Sequence, residues 1–338
     1  MHFTSKELIT NQEVRWCPGC GDYSILKQVQ TILPELDIPK EDIVFISGIG
    51  CSSRFPYYMD TYGMHSIHGR ATTIATGLKI TRPELSVWIV TGDGDALSIG
   101  GNHFIHLLRR NVDVNVLLFN NEIYGLTKGQ YSPTSEVGKI TKSTPYGSLD
   151  SPFNPLELAQ GAGASFLART MDRDPAHMRS ILKQANDHTG TSLIEIYQNC
   201  NVFNDSAFEV FTEKNNKALT TLFLEHGKAL LFGNEEEKAI VLHGLTPVIK
   251  NTAEINEAEI WIHDQYDKTK AFLLNQMFAT VTPENGFMPR PFGVLYQDPT
   301  AATYDELVKT QMQNVLESKG KGDLDSLLAG KSTWEVMA

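Results

Sequence analysis

The stretch LSVWIVTGDGDALSIGGNHFIHLLRRNVDVNVLLFNN occupies residues 85–121. Its first run, 85–95, is apolar and β-branched and stops in a tight glycine loop, which reads as a buried strand. Residues 96–110 have helical spacing, and 112–121 form a second apolar run ending in paired asparagines. Strand, helix and strand in that order predict a βαβ unit, with the two strands parallel and adjacent. In such sheets ligands lie outside the carboxyl ends of the strands, where both loops fall. Asp93 offers a hard carboxylate oxygen and Asn121 an amide oxygen, while the glycines between them let backbone N–H groups approach a phosphate closely. Magnesium prefers oxygen ligands and is commonly held by one or two protein groups plus phosphate oxygens. The two loops therefore suit a magnesium ion bridging a diphosphate. The plainer alternative is a GDGD turn and an NN strand terminator with no ligand.

Outward from this unit, the first two-thirds of the chain alternates strands and helices. Residues 22–32 and 69–80 read as helices and 42–50 as a buried strand running into a glycine turn. A polar Ser/Thr/Pro-rich span covers 131–155, followed by a strand in 164–170, a helix near 174–187 and a strand in 191–198. The expected fold is α/β, a doubly wound, mostly parallel sheet over residues 1–205. Residues 206–338 make a smaller C-terminal region expected to serve subunit contact, with short strands at 238–244 and 259–264 and an exposed helix at 303–319.

Composition narrows the class. A chain of 338 residues with 41% hydrophobic content can bury a large core, and a formal net charge of −11 disfavours nucleic acid and anionic membranes as partners. The N-terminal residues lack a basic flank followed by an apolar core, and no apolar run reaches membrane-spanning length, so a cytoplasmic enzyme is expected.

The four cysteines are Cys17 and Cys20 in RWCPGCGD, Cys51 in GIGCSSRFP and Cys200 in YQNCNVF. Spacing alone leaves open a 4Fe-4S cluster, a zinc or redox site, and unconnected buried thiols. The dispersed second pair lacks the usual zinc-ribbon spacing.

GDG, 25 residues and then NN resembles the thiamine diphosphate signature of the pyrophosphate-binding domain of thiamine enzymes. Together, WCPGCG, GCSSRFP, SIHGRA, GDGD and NNxxYGLTKGQ resemble, in matching order over residues 14–205, the β subunit of 2-oxoacid:ferredoxin oxidoreductases. The wording around Cys51 and HGRA is most similar to the 2-oxoglutarate type. The resemblance implies Asp93, Asn121 and the Ile123 carbonyl as magnesium ligands. It implies Ile49, Gly50, Cys51, Ser52, His68, Gly94, Asp95, Leu126 and Thr127 as thiamine contacts, and Cys17, Cys20, Cys51 and Cys200 as ligands of one 4Fe-4S cluster. The implied reaction is thiamine-dependent oxidative decarboxylation of 2-oxoglutarate to succinyl-CoA and CO2, with electrons leaving through the cluster to ferredoxin. Pyruvate, branched 2-oxoacids and a non-oxidative decarboxylase are the alternatives.

His68 is expected at the thiamine and Arg54 at a substrate carboxylate, with Lys128 a weaker candidate for that anion. Tyr57, Tyr58, Tyr62, Met59 and Met64 are expected to be packing residues. A single cofactor-sized βαβ array implies an obligate α (or fused γ-α) subunit completing the thiamine site.

Overall fold

The structure, a computed structural model, describes residues 3–278, 281–282, 286–334 and 336–337. The first part of the chain supplies strands β1 (Ile43–Ser47), β2 (Tyr62–His65), β3 (Ser86–Gly92), β4 (Val114–Asn120), β5 (Phe166–Met171) and β6 (Thr191–Tyr197). Its helices are α1 (Asp22–Ile32), α2 (Ala71–Thr81), α3 (Gly101–Arg110), α4 (Pro155–Gly161) and α5 (Pro175–Asp187). Among the described residues the main sheet has eight strands in the order β2-β1-β3-β4-β6-β5-β13-β7. β3 and β4 pair in parallel, with Ile89 opposite Val116, as the βαβ reading requires. β4 and β6 are buried along their whole length, because helices cover both faces of the sheet.

The two faces hold separate cores. One packs Ala71 and Ala75 of α2, Phe104 and Leu107 of α3 and Leu156 of α4 against the sheet. The other packs Ile25 and Val29 of α1 and Met178 and Ile181 of α5. Local chemistry sets the helix limits. Asp174 caps α5 by accepting the His177 N–H, ahead of Pro175 in the first turn. Asn111 ends α3 in the left-handed conformation (φ 52°), and its Oδ1 accepts from Thr191 N.

The C-terminal region returns to the main sheet. It comprises α6 (Glu209–Thr212), α7 (Lys214–Thr220), β7 (Thr221–Phe223), β8 (Leu231–Phe232), β9 (Lys238–His243), β10 (Thr246–Asn251), α8 (Lys268–Gln276), β11 (Val281–Thr282), β12 (Gly286–Phe287), β13 (Arg290–Gln297), α9 (Tyr304–Lys319) and α10 (Leu324–Ala329). β13 runs antiparallel to β5 and carries β7 on its outer side. β8, β9 and β10 make a small antiparallel sheet. The helix at 303–319 forms and is exposed, as its sequence predicts. The expected strand at 259–264 does not form; Ile260 and Ile262 make only isolated bridges to Val241 and Ala229. No helix among the described residues is long and apolar enough to cross a membrane.

Two further expectations are corrected. Tyr58 and Met59 are buried packing residues, but Tyr62 and Met64 on the edge strand β2 are exposed, and so is Tyr57 in the 3-10 turn Ser52–Tyr58 before it. The helix expected from residue 96 divides: Asp95–Ile99 is a π-helical turn, closed by Gly100 N donating to the Asp95 carbonyl at 3.1 Å, and α3 starts after it. Gly69 (φ 70°) passes so close that a Cβ there would lie 2.5 Å from Gly100 N.

Candidate cofactor and cluster site

Strand order reverses between β1 and β3, because the chain leaves β1 for β2 on one side and later places β3 on the other. Ligands collect at such switch points. A cleft opens there, lined by four loops. The loop after β1 gives Ile49, Gly50, Cys51 and Ser52, and the turn before α2 gives His68. The loop after β3 gives Gly92 to Asp95, and the loop after β4 gives Asn121 and Ile123 to Thr127. Every residue expected at the magnesium ion or the thiamine therefore lines this one cleft. Arg54 does not; its Nε donates to Tyr58 at 2.9 Å and its guanidinium lies 5.9 Å from the Tyr57 ring centre. Lys128 is exposed in a left-handed turn (φ 76°).

Asp95 is the hub of the loops. Its Oδ1 accepts from Ile49 N at 3.1 Å and Gly69 N at 2.7 Å and lies 2.5 Å from His68 Nδ1, while its Oδ2 accepts from Thr91 at 2.6 Å. A Cβ on Gly48 would lie 2.0 Å from the same carboxylate, so only glycine lets the β1 loop pack this closely. Gly94 is similarly fixed: Tyr124 donates to its carbonyl at 3.1 Å, and a Cβ on it would enter the Tyr124 ring.

The site concentrates carboxyl groups. Asp93 is 3% exposed, and burial holds its carboxyl above the usual carboxylate range despite hydrogen bonds from Ser132 and Thr134. Burial, and then Asp93 itself, pushes Glu122 up to about 8. No Lys or Arg among the described residues ion-pairs with Asp93. A buried carboxylate with no ion-paired Lys or Arg fits a bound cation, and the carboxylate, amide and carbonyl oxygens of Asp93, Asn121 and Ile123 are hard donors of the kind magnesium takes.

The four thiols converge beside this cleft, and all are free. A Cβ on Gly125 would lie 3.5 Å from Cys200 Sγ and 3.6 Å from Cys51 Sγ. Cys20 feels the charges of Cys200 and Cys51, and Cys51 those of Cys200 and Cys17. Trp16 donates to the Cys51 carbonyl at 2.7 Å, which ties the first cysteine loop to the second. Burial pushes Cys51 up to about 12 and also raises Cys20 and Cys200. Such thiols stay protonated unless a metal centre takes them as thiolates. No three His, Cys, Asp or Glu side chains among the described residues close around a single ion.

Sequence reasoning missed Gln198, Ser132 and Thr134. Gln198 accepts from Asn121 Nδ2 at 2.8 Å and donates to Cys20 Sγ at 3.3 Å, so one side chain joins the oxygen site to the thiols. Its place two residues before Cys200 was the available signal. Ser132 and Thr134 stand in a span whose composition looked merely polar.

A family model described as thiamine pyrophosphate enzyme, C-terminal TPP binding domain, matches residues 48–196. The 2-oxoglutarate oxidoreductase subunit KorB of Mycobacterium tuberculosis is 50% identical over 98% of this chain and 88% of its own length. The 2-oxoacid:ferredoxin oxidoreductase subunit beta of Saccharolobus solfataricus is 33% identical over 95% of this chain and 93% of its own. Among solved structures, the 2-oxoglutarate:ferredoxin oxidoreductase from Magnetococcus marinus, with 2-oxoglutarate, coenzyme A and succinyl-CoA bound, superposes with a TM-score of 0.75 at 32% identity. That match covers 97% of this chain and 95% of the other.

Proposed function

The chain belongs to the β subunits of the 2-oxoacid:ferredoxin oxidoreductases, and from that premise we propose that it acts on 2-oxoglutarate, yielding succinyl-CoA and CO2 and passing the electrons to ferredoxin. Bound thiamine diphosphate supplies the electron sink for loss of CO2, and a 4Fe-4S cluster supplies the one-electron acceptor. Asp93, Asn121 and the Ile123 carbonyl would hold Mg2+. Gly94 and the main chain of Asp95 would meet the diphosphate, since the Asp95 carboxylate is already bonded to four protein donors. Ile49, Gly50, Ser52, Leu126 and Thr127 would line the cofactor.

His68 offers a proton-handling group at a fixed atom. Asp95 engages Nδ1 and leaves Nε2 as the ring nitrogen able to exchange a proton or bond with a ligand in the cleft. Cys17, Cys20, Cys51 and Cys200 would hold the cluster. Arg54, anchored on Tyr58, would meet the distal carboxylate of the substrate.

The observation that carries this reading is Gly125. It lines the cleft beside the Cys51 and Cys200 sulfurs, and on this reading the decarboxylating and electron-accepting centres would adjoin. A pyrimidine-binding α subunit would complete the thiamine site.

The deciding experiment is anaerobic viologen reduction by the purified complex of this chain with its partner, given thiamine diphosphate, coenzyme A and either 2-oxoglutarate or pyruvate. Coenzyme A-dependent reduction that prefers 2-oxoglutarate is expected. Preference for pyruvate would reassign the substrate, and CO2 release without dye reduction would support the non-oxidative alternative.

A further inference from the structure

The segment Ser132-Pro133-Thr134-Ser135 bonds at once to the loop after β3 and the loop after β4. Ser132 Oγ and Thr134 Oγ1 each donate to the same oxygen, Asp93 Oδ2, at 2.6 Å. Ser135 Oγ donates at 2.5 Å to the carbonyl of Glu122, between Asn121 and Ile123. The three hydroxyl-bearing residues are buried.

We propose that Ser132, Thr134 and Ser135 form a positioning staple that fixes the rotation of Asp93 and its separation from the Asn121 loop, and thereby sets the affinity for Mg2+–thiamine diphosphate. The staple rests on the cofactor reading above. Two charge-assisted hydrogen bonds to one oxygen hold the carboxylate plane. Magnesium tolerates little departure from octahedral geometry, so a rotated carboxylate binds it poorly. Thr134 Oγ1 also lies 3.0 Å from Asn120 Oδ1, and its single proton favours the nearer, charged acceptor.

The second loop needs holding as much as the first. Glu122 is left-handed (φ 55°), a conformation that a residue with a Cβ adopts only at an energetic cost. Ser135 bonds the carbonyl of that residue. The staple itself is closed, with Ser132 N donating to Ser135 Oγ at 2.8 Å and Ser135 N to the Ser132 carbonyl at 3.1 Å. The Pro133 carbonyl accepts from Phe153 N, which anchors it outward. Behind it, Asn120 donates to Glu195 at 2.8 Å, and Glu195 pairs at 2.7 Å with the fully buried Arg169, which donates to the Pro291 carbonyl on β13. Buried hydroxyls are costly unless bonded, so a merely space-filling loop would be better served by alanine or valine.

The test is calorimetric titration of thiamine diphosphate into the α–β complex at fixed Mg2+, repeated as a Mg2+ titration at fixed thiamine diphosphate. Thr134→Val and Ser132→Ala are each expected to weaken both affinities by roughly 5- to 30-fold, from loss of one charge-assisted bond. Thr134→Ser should recover affinity to within about threefold, because it keeps the hydroxyl. Unaltered affinities in Thr134→Val and Ser132→Ala, beside a wild type that binds, would overturn the staple alone. Thr134→Ser binding as weakly as Thr134→Val would do the same, by showing that packing rather than the hydroxyl matters. A wild-type complex that binds no thiamine diphosphate would overturn the cofactor reading and the staple with it.

Discussion

His68 Nδ1 lies 2.5 Å from Asp95 Oδ1, and Asp95 is buried with both oxygens engaged by the protein. The carboxylate therefore orients the ring and selects which nitrogen faces the cleft. His68→Gln is expected to lower kcat by about 10²-fold or more, within the usual range for losing a general acid or base. Asp95→Asn should lower kcat while leaving the His68 side chain in place. Anaerobic steady-state kinetics on the α–β complex check both, and a His68→Gln enzyme with wild-type kcat would remove the residue from the chemistry.

Cys17 is the exposed member of the thiol set. Cys17→Ala is expected to abolish the visible absorption of the cluster and the transfer of electrons to the acceptor. Iron analysis decides the point, since a variant with undiminished iron would leave the cluster to other ligands.

Arg54→Ala is expected to raise KM for 2-oxoglutarate about tenfold or more and to affect pyruvate little, because only 2-oxoglutarate carries a second carboxylate to pair with the guanidinium. Comparing KM for the two substrates separates recognition from general damage. Equal increases would assign Arg54 to local structure through its bond to Tyr58.

Burial lowers His177 to about 4, against an ordinary histidine value near 6.5. Below pH 6.5 the unfolded chain takes up a proton that the folded chain refuses until about pH 4, so stability falls as pH falls through this window and is unaffected above it. Discounted for partial exposure, the loss at pH 5 is about 1–2 kcal/mol. Denaturant melts at pH 7 and pH 5 should show a smaller drop in His177→Gln than in wild type. The same drop in both would locate the pH sensitivity elsewhere.

Much of the site was legible because its residues sit in short loops between strongly patterned elements. The buried runs at 86–92 and 114–120 form parallel neighbours, and the glycines and asparagines that follow them line one cleft. The edge strand β2 was missed because exposed positions carry no burial pattern. β13 was missed because its place beside β5 depends on pairing across more than a hundred residues, which no local window records.

The sequence by itself determined the doubly wound fold class and the family, and named most of the residues that line the cleft, since hydrophobic period and motif spacing are properties of neighbouring positions. Tertiary structure alone decided that Gln198 joins Asn121 to Cys20, that Gly125 lines the cleft beside the Cys51 and Cys200 sulfurs, and that Ser132 and Thr134 grip Asp93. These are contacts between segments brought together by sheet order, where a hydrogen bond's few ångströms of reach matter and sequence distance does not.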